Sequence, residues 1–554
     1  MALDPIELQV IYSRLQEAGA TMENQLFHSG YSPILRESFD GSAAVLTRDG
    51  GVVSGTGAPI HLFPYFYIAR AVMTRWGDRL SPGDSFLVND PYLSGNFHVP
   101  DTAIVTPFFH EGQLVAFCAS IAHKPDLGGI VPGSSGASAR EIYHEGLLFP
   151  AVRYWSAAGV AEDIEAMIHR NSRSPKDVVG DLRAQVGCTR VGCSRLEELF
   201  ADYGAAQMTE AFEALITGTE GRVREGLAAW PDGEAEAEAW LDNDGVDLDK
   251  PIRMAVRVEK RGDRITFDYS ASDPQTRGPV NLRPQSAETA AALALISFID
   301  ASIPLNDGCR RAIDFVNPEG RITHASHPRP INNYYPSMHL LYCCVQKALA
   351  NFAPQKAVAP AGLGVGGCLI AYARSRAGKL GVQYELMTPS LGGTPRGDGS
   401  FAVLPMSQIT PSQPIEILES EYPVEVIGFE PLTDSAGAGR HRGGSGYART
   451  YRVLEDASFS VRMAQFKNGS WGVVGGDAPN RARCVLNPGT PQEEQLPPLA
   501  TRDLKAGDVI RMELAGGGGF GDPRERDPDL VAADVRDGLV SPQAARAVYG
   551  ADGG

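Results

Sequence analysis

Two segments of this sequence carry side chains of the kind that bind a divalent metal ion. The first places His98 three residues before Asp101 in a turn rich in Pro and Gly, and the second places His123 at the end of an apolar run. Neutral imidazole nitrogens and carboxylate oxygens are the usual ligands of borderline divalent metals, and a catalytic site combines about three or four of them with an open position. The competing interpretation is that these residues are surface or capping groups, because the spacing alone is a weak signal.

Three further polar residues near these segments are candidates for the same site. Asp40 precedes a predicted strand, where the strand entrance could aim its carboxylate inward. Asp126 is a candidate general base, or a residue that orients His123 through a hydrogen bond. Lys124 could act as an electrophile or pair with a carboxylate, whereas the simpler interpretation is an exposed lysine.

Apolar and polar periodicity predicts the elements that position these side chains. Helical spacing predicts a helix over residues 4–28, and His61 is expected to open a second helix that ends near residue 76. Short strands are predicted at residues 43–46, 52–53, 84–87 and 102–107, with a buried strand at 113–122. We therefore expect the two His residues and Asp101 in loops or at strand ends beside a rigid sheet, where catalytic groups are often placed.

The length of the chain indicates more than one hydrophobic core. At 554 residues, with 43% hydrophobic and 21% charged residues, the sequence is typical of a globular protein with two or three domains. We predict a mixed α/β (α+β), multi-domain fold with a metal-binding α/β domain at residues 1–234, a middle α/β domain at 235–414 and a strand-rich C-terminal domain with terminal helices at 415–554. The metal site would lie in loops at the edge of the N-terminal sheet. One C-terminal strand is predicted at residues 472–476.

The charge and composition argue against several classes of partner. The formal net charge of −17 disfavours binding to nucleic acid or to anionic membranes. No apolar run approaches the ~18 residues of a membrane span, and the start of the sequence lacks the features of a secretion signal. The eight cysteines are scattered without a paired metal-binding motif, which favours reduced thiols and a cytoplasmic protein.

Two glycine-rich segments admit alternative interpretations. Residues 362–367 satisfy the pattern G-x-G-x-x-G, but no acidic residue follows at dinucleotide spacing, so a tight turn before a strand is favoured over a nucleotide site. Residues 516–519 could offer backbone amides to an anion, or could form a turn that needs positive φ at several positions. The sequence has no P-loop motif, so we do not expect this chain to bind ATP in that way.

Ordered motifs along most of the chain resemble the hydantoinase B/oxoprolinase family. This family comprises the B subunits of ATP-dependent hydantoinases and lactamases and is related to one subunit of the acetone and acetophenone carboxylases. The matching segments lie at residues 89–101, 122–129, 141–147, 180–185, 303–309, 436–444 and 516–523. Two departures are visible: Lys124 stands where the family often has a second His, and the turn at residues 392–399 looks shortened.

The resemblance implies a set of metal ligands and a partner. It implies that Asp40, His98, Asp101 and His123 hold one divalent metal, with zinc expected first and manganese or iron as alternatives. A separate A subunit with an actin-like fold would bind ATP and phosphorylate a cyclic amide, and this chain would complete hydrolysis in an A2B2 heterotetramer.

Two other functions remain open from the sequence. The chain could instead be a subunit of an ATP- and bicarbonate-dependent ketone carboxylase. It could also be a scaffold with a structural metal, although closed structural zinc sites usually use Cys ligands.

Overall fold

The N-terminal third of the chain forms an antiparallel sheet between two helical layers. The computed structural model describes residues 4–364, 366–372, 381–403, 406 and 411–551. The elements up to residue 160 are α1 (Pro5–His28), α2 (Pro33–Arg36), β1 (Gly41–Thr47), β2 (Val52–Gly57), α3 (Tyr65–Trp76), β3 (Ser85–Val88), α4 (Pro91–Ser94), β4 (Asp101–His110), β5 (Gln113–His123), β6 (Val152–Ser156) and β7 (Gly159–Val160).

These seven strands form one sheet in the order β2-β1-β5-β4-β3-β6-β7. The strands β5, β4 and β3 are apolar at most positions because both faces of the sheet are covered. Helix α1 packs on one face through residues such as Leu15 and Met22, and α3 packs on the other through Tyr65 and Ile68. The covered sheet is a rigid base for side chains at its strand ends.

The middle of the chain adds a long helix and a second sheet. Its elements are α5 (Glu162–Asn171), α6 (Pro175–Ala228), β8 (Gly233–Leu241), β9 (Ile252–Arg261), β10 (Arg264–Asp268), α7 (Pro284–Ile299), α8 (Gly308–Arg311), β11 (Ile313–Val316) and α9 (Tyr334–Leu349). Helix α6 packs beside α1 on the first sheet and is interrupted at Gly204, where φ is +76°. Helices α7 and α9 cover the second sheet, whose order is β11-β10-β9-β8.

The C-terminal part contains two further sheets that face each other. Its elements are β12 (Gly366–Tyr372), β13 (Gly381–Met387), α10 (Ile415–Glu421), β14 (Val424–Pro431), β15 (Tyr447–Val453), β16 (Ala457–Arg462), β17 (Arg483–Leu486), β18 (Glu494–Leu496), β19 (Leu499–Leu504), β20 (Val509–Glu513), α11 (Pro528–Arg536) and α12 (Pro542–Ala547). The sheets have the orders β13-β12-β16-β19 and β14-β15-β20-β17-β18 and share one apolar core. The fold is therefore mixed α/β with several sheets, as predicted.

The predicted division at residue 414 does not follow the sheet topology. Strands β12 and β13 precede that residue, yet β12 pairs directly with β16, which follows it. The three-domain division stays a prediction, with one sheet built from both sides of its second boundary.

Most of the predicted local elements are confirmed, and two differ. The helix over residues 4–28 is α1, and the strands predicted before residue 123 are β1 to β5. His61 ends a short 3-10 turn (Pro59–His61), and the helix proper begins only at Tyr65. The strand predicted at residues 472–476 was wrong: a Cβ on Gly476 would lie 2.2 Å from the carbonyl oxygen of Gly519, so this segment packs against another glycine backbone.

The glycines at residues 516–519 are required for close backbone packing rather than for positive φ. A Cβ on Gly518 would lie 2.0 Å from the carbonyl oxygen of Trp471, and one on Gly519 would lie 1.8 Å from that of Ala438. None of these four residues has a positive φ, so the turn interpretation was wrong here. In the other glycine-rich segment Gly364 has a φ of +77° before β12, as the turn interpretation expects, while Val365 lies outside the described residues.

Within the part of the chain that the structure covers, no helix is both long and apolar enough to cross a membrane.

Candidate metal centre

Three candidate ligands lie at the same end of three neighbouring strands. Asp101 begins β4 and is the register partner of His123, which ends the antiparallel strand β5. On the other side of β5, the amide of His123 donates to the carbonyl oxygen of Asp40, 3.1 Å away, immediately before β1. Asp101 and His123 belong to central strands and Asp40 directly precedes a third, because β1, β5 and β4 are adjacent inside the seven-stranded order.

His98 reaches the same point from the turn that precedes β4. Its Nε2 lies 3.0 Å from Asp101 Oδ1, and its ring centroid lies 5.1 Å from that of His123. One ligand atom from each of these three residues lies within 4.8 Å of the other two, and all three residues are buried. This is the one such group of possible ligands found among the residues described.

The donor atoms of this group fit a metal ion. Asp101 Oδ2 and both ring nitrogens of His123 are buried without a hydrogen-bond partner. Buried polar atoms are nearly always satisfied, and leaving one unpaired costs about 1–3 kcal/mol. Two imidazoles and a carboxylate are the ligand types of catalytic zinc sites. A divalent cation would satisfy Asp101 Oδ2 and one ring nitrogen of His123 at once.

The charge state of the cluster suits metal binding. Burial lowers the pKa of His123 well below its ordinary value, and the neighbouring His98 adds to this effect, so the ring stays neutral. Burial alone would raise the pKa of Asp101, but His98, through its charge and its hydrogen bond, holds that pKa below its usual range. The cluster therefore presents a neutral imidazole and an ionised carboxylate, the forms that ligate metals.

Asp40 lines the same cavity. It does not belong to the group of His98, Asp101 and His123, whose ligand atoms lie within 4.8 Å of one another. It is half-buried. Burial and the charge of Asp101 raise the pKa of Asp40 to about 7, partly offset by the positive charges around it. The raised pKa of the Asp40 carboxyl group, next to the carboxylate of Asp101, is consistent with a cation bound between the two.

His61 is a neighbour that the sequence did not indicate as a site residue. Its Nε2 lies 3.8 Å from Asp101 Oδ2, and its buried Nδ1 has no hydrogen-bond partner. Nothing in the spacing of the sequence links it to Asp101, and only the packing of the Pro59–His61 turn beneath the sheet end brings it there.

Asn332 fixes the orientation of His98, and sequence reasoning missed it as well. The Nδ1 of His98 lies 2.6 Å from the Asn332 side-chain oxygen and 3.1 Å from its carbonyl oxygen. Both atoms are acceptors, so Nδ1 carries a proton, and Nε2 is the ring nitrogen that faces Asp101. The Asn332 backbone is held in turn by Glu145, whose Oε1 accepts from its amide at 2.8 Å.

The change Asn332→Ala is expected to weaken metal binding by about 10- to 100-fold while the fold is retained, because it removes the side-chain partner that fixes the His98 tautomer. Competition with a metal-binding dye would measure the affinity. Asn351→Ala, an exposed asparagine after α9, is the matched control. Equal affinities in Asn332→Ala and the control would show that Asn332 does not orient the ligand.

Two predicted site residues have other surroundings. Lys124 is completely buried and donates to Gln185 Oε1 at 2.8 Å and to the Ala122 carbonyl at 3.0 Å, so its interpretation as an exposed lysine was wrong. Burial lowers its pKa to about 8. It is held between β5 and α6 by Gln185, and it does not line the cavity around His123.

Asp126 holds the backbone of its own loop. Its carboxylate oxygens accept from the amides of Gly128, Gly133 and Arg173 at 2.8–2.9 Å. Since the His123 nitrogens have no partner within the described structure, Asp126 does not orient His123 through a hydrogen bond, and that prediction was wrong. Its assignment as general base stays a prediction, and among the residues described Asp126 is not part of the cavity wall.

A cavity of about 60 Å³ opens over the cluster. This volume has room for a metal ion or a few water molecules. Its walls come from the first sheet, from the start of α9 and from the third sheet, and its lining residues are Asp40, Ile60, His98, Asp101, His123, Asn332, Asn333, Tyr334, Tyr335, Pro336, Tyr384, Leu386 and Arg462. The chain thus combines a candidate metal-binding cluster with apolar and aromatic walls.

Comparison with known proteins matches this chain to one protein family. The hydantoinase B/oxoprolinase family model matches residues 4–523. The putative D-/L-hydantoinase B subunit of Pseudomonas sp. (strain NS671) is 31% identical over 568 residues, covering 99% of this chain and 95% of that protein. The acetophenone carboxylase delta subunit of Aromatoleum aromaticum is 24% identical over 599 residues, covering 99% and 86%.

A solved structure extends the similarity to three dimensions. The crystal structure of the ATP-dependent caprolactamase from Pseudomonas jessenii superimposes with a TM-score of 0.91 at 29% identity, covering 99% of this chain and 96% of that chain. Sequence motifs, fold and family model agree over nearly the whole length. The chain therefore belongs to the hydantoinase B/oxoprolinase family.

Proposed function

We propose that this chain is the metal-dependent component, of the hydantoinase B type, in an ATP-dependent amidohydrolase that opens a cyclic amide of the hydantoin, lactam or 5-oxoproline type. The observation that carries the proposal is the buried cluster of His98, Asp101 and His123, with unpaired ligand atoms, beneath a cavity in a chain of this family. A non-catalytic scaffold is disfavoured because the cluster opens on a cavity and contains no Cys.

His98, Asp101 and His123 would hold the metal, with Asp40 as the fourth ligand and zinc expected before manganese or iron. When bound, such an ion acts as a Lewis acid that polarises a carbonyl oxygen and activates water at neutral pH. The protein's own contribution is positional: Asn332 fixes the ring of His98, and the strand register fixes Asp101 against His123. The aromatic side chains of Tyr334 and Tyr384 form part of the cavity wall.

The chemistry calls for a second subunit. A cyclic amide is a poor electrophile, and phosphorylation of its oxygen creates a good leaving group and a more reactive carbon. Two relatives are named as single components of larger enzymes, a hydantoinase B subunit and a caprolactamase beta subunit. We propose that an ATP-binding A subunit first activates the amide and that this chain completes the hydrolysis within an A2B2 heterotetramer.

Lactam opening is expected only when the chain is combined with its A subunit, ATP and metal, and it should continue after bicarbonate is removed. The separate chain should neither hydrolyse ATP nor open a lactam. Oxygen from labelled water should enter the new carboxylate, which mass spectrometry would detect. Full activity of the isolated chain would refute the two-subunit arrangement.

A ketone carboxylase is the second candidate, because the acetophenone carboxylase delta subunit is also a relative. For that function bicarbonate would be obligatory and its labelled carbon would appear in the product. The relative lengths favour hydrolysis, since the match covers 95% of the hydantoinase relative and 96% of the caprolactamase relative, whereas it covers 86% of the carboxylase relative.

A further inference from the structure

Arg462 is a buried cation in the cavity above the candidate metal cluster. It is the last residue of β16, is 9% exposed, and lines the cavity together with Asp40 and His123. Its position is unusual because the other charged groups of the cavity are carboxylates that a metal would neutralise. The guanidinium is therefore the positive group of the protein that a ligand in this cavity would meet.

The guanidinium has few partners of its own. Its Nη2 donates to the phenol oxygen of Tyr384, and its central carbon lies 5.2 Å from the centroid of that ring. Its Nε is buried without a hydrogen-bond partner, and no carboxylate of the described residues lies within 4 Å of it. By contrast, the buried Arg449 is paired with Glu385. No carboxylate in the described part of the chain pairs directly with this buried cation, and an arginine carries five N–H donors, so the guanidinium has donors left for an anionic ligand.

The backbone beside Arg462 leaves room for the guanidinium. Gly367 on β12 is the register partner of Arg462. A Cβ at this glycine would lie 2.9 Å from the Arg462 Nε and 3.2 Å from its Nη2. Any larger residue would displace the group. The last glycine of the segment 362–367 therefore leaves room for a side chain that lines the cavity, a role that needs no nucleotide.

We propose that Arg462 is the oxyanion-binding residue of the cavity and holds the phosphoryl group of the activated amide or the carboxylate of the opened product. The inference rests on the proposed function for the identity of the ligand. A planar guanidinium binds either oxyanion through two parallel hydrogen bonds. It would place the anionic end of the ligand beside Tyr384 and its carbonyl carbon toward the metal cluster.

Calorimetric titration of inorganic phosphate and of acetate into the metal-loaded chain tests the site and identifies which kind of oxyanion it binds. Tighter binding of phosphate indicates the phosphoryl group, and tighter binding of acetate indicates the product carboxylate; either supports the site. Arg462→Gln should weaken binding of the preferred anion by about 10-fold or more. Arg462→Lys should weaken it less, since lysine keeps the positive charge but lacks the paired N–H donors of the planar guanidinium. Arg502→Gln, on the neighbouring β19 and 40% exposed, is the matched control and should bind like wild type.

Gly367→Ala provides a second variant that keeps the arginine but displaces it, and it should weaken the same anion. Metal content, measured in every variant, should stay at the wild-type level. Anion binding that is absent in wild type, or unchanged in both Arg462→Gln and Gly367→Ala, would overturn the proposal. If Arg462-dependent binding is found but no lactam is opened with the A subunit, the oxyanion site stands and the hydrolase assignment fails.

Discussion

The change Asp101→Asn should lower turnover of the assembled enzyme by at least about 100-fold, because a neutral amide is a poorer metal ligand than a carboxylate and alters the charge balance at the ion. The Asp101 carboxylate lies between the imidazoles of His98 and His61. His98 Nε2 lies 3.0 Å from one carboxylate oxygen, and His61 Nε2 lies 3.8 Å from the other. The substitution is isosteric and should leave the fold intact. Steady-state kinetics with a saturating lactam and ATP would measure the effect.

Metal analysis separates the roles of the ligands. Wild type should contain close to one divalent ion per chain, whereas His123→Ala should contain well under half an equivalent, because both nitrogens of His123 have no other partner in the described structure. Asp163→Asn, on the exposed first turn of α5, is the control for both measurements. Near-normal turnover in Asp101→Asn with metal retained would remove Asp101 from the ligand set.

The change Arg449→Met is expected to reduce the free energy of unfolding by about 3–5 kcal/mol. Arg449 on β15 and Glu385 on β13 form an ion pair of 2.5 Å, with side chains only 3% and 0% exposed, between the two C-terminal sheets. Tyr451 donates to the second oxygen of Glu385 at 2.7 Å. Removing the guanidinium would leave a buried carboxylate without its counter-ion. Urea unfolding followed by circular dichroism would measure the loss.

A matched control lies on the same strand. Arg452 pairs with Glu425 on the surface, with both side chains more than 40% exposed, so Arg452→Met should cost only about 0–1 kcal/mol. The double variant Arg449→Met with Glu385→Gln should recover part of the loss, since it removes the uncompensated charge. Equal stability of Arg449→Met and Arg452→Met would show that the buried pair does not join the sheets.

The pH dependence of this loss has a definite sign. Burial raises the pKa of Glu385 above its ordinary value, and removing Arg449 would raise it further. A group whose pKa is raised in the folded state favours folding when protonated, so this penalty appears as the pH rises through the folded pKa. The deficit of Arg449→Met should therefore shrink as the pH is lowered through the folded-state pKa of Glu385 toward the ordinary pKa of a glutamate.

Local sequence determined the helix α1, the strands β1 to β5 and the ligand types of the candidate site. Helical and alternating periodicities report which side of an element is buried, and they need no knowledge of distant residues. For the same reason His98, Asp101 and His123 could be selected before the fold was known, because they lie within 26 residues of each other on elements that the pattern predicts. The motif resemblance added Asp40, which stays a prediction as a ligand, and the family, which the comparisons confirm.

Only the tertiary structure decided which distant residues complete the site. Asn332 and Arg462 lie more than 200 residues from His123 along the chain, and no periodicity links them to it. The sequence favours an exposed Lys124, yet α6 packs across β5 and buries this side chain against Gln185. Local patterns fix which face of an element is apolar, whereas the partner of each polar atom depends on how the elements pack, and that packing is settled by the whole chain.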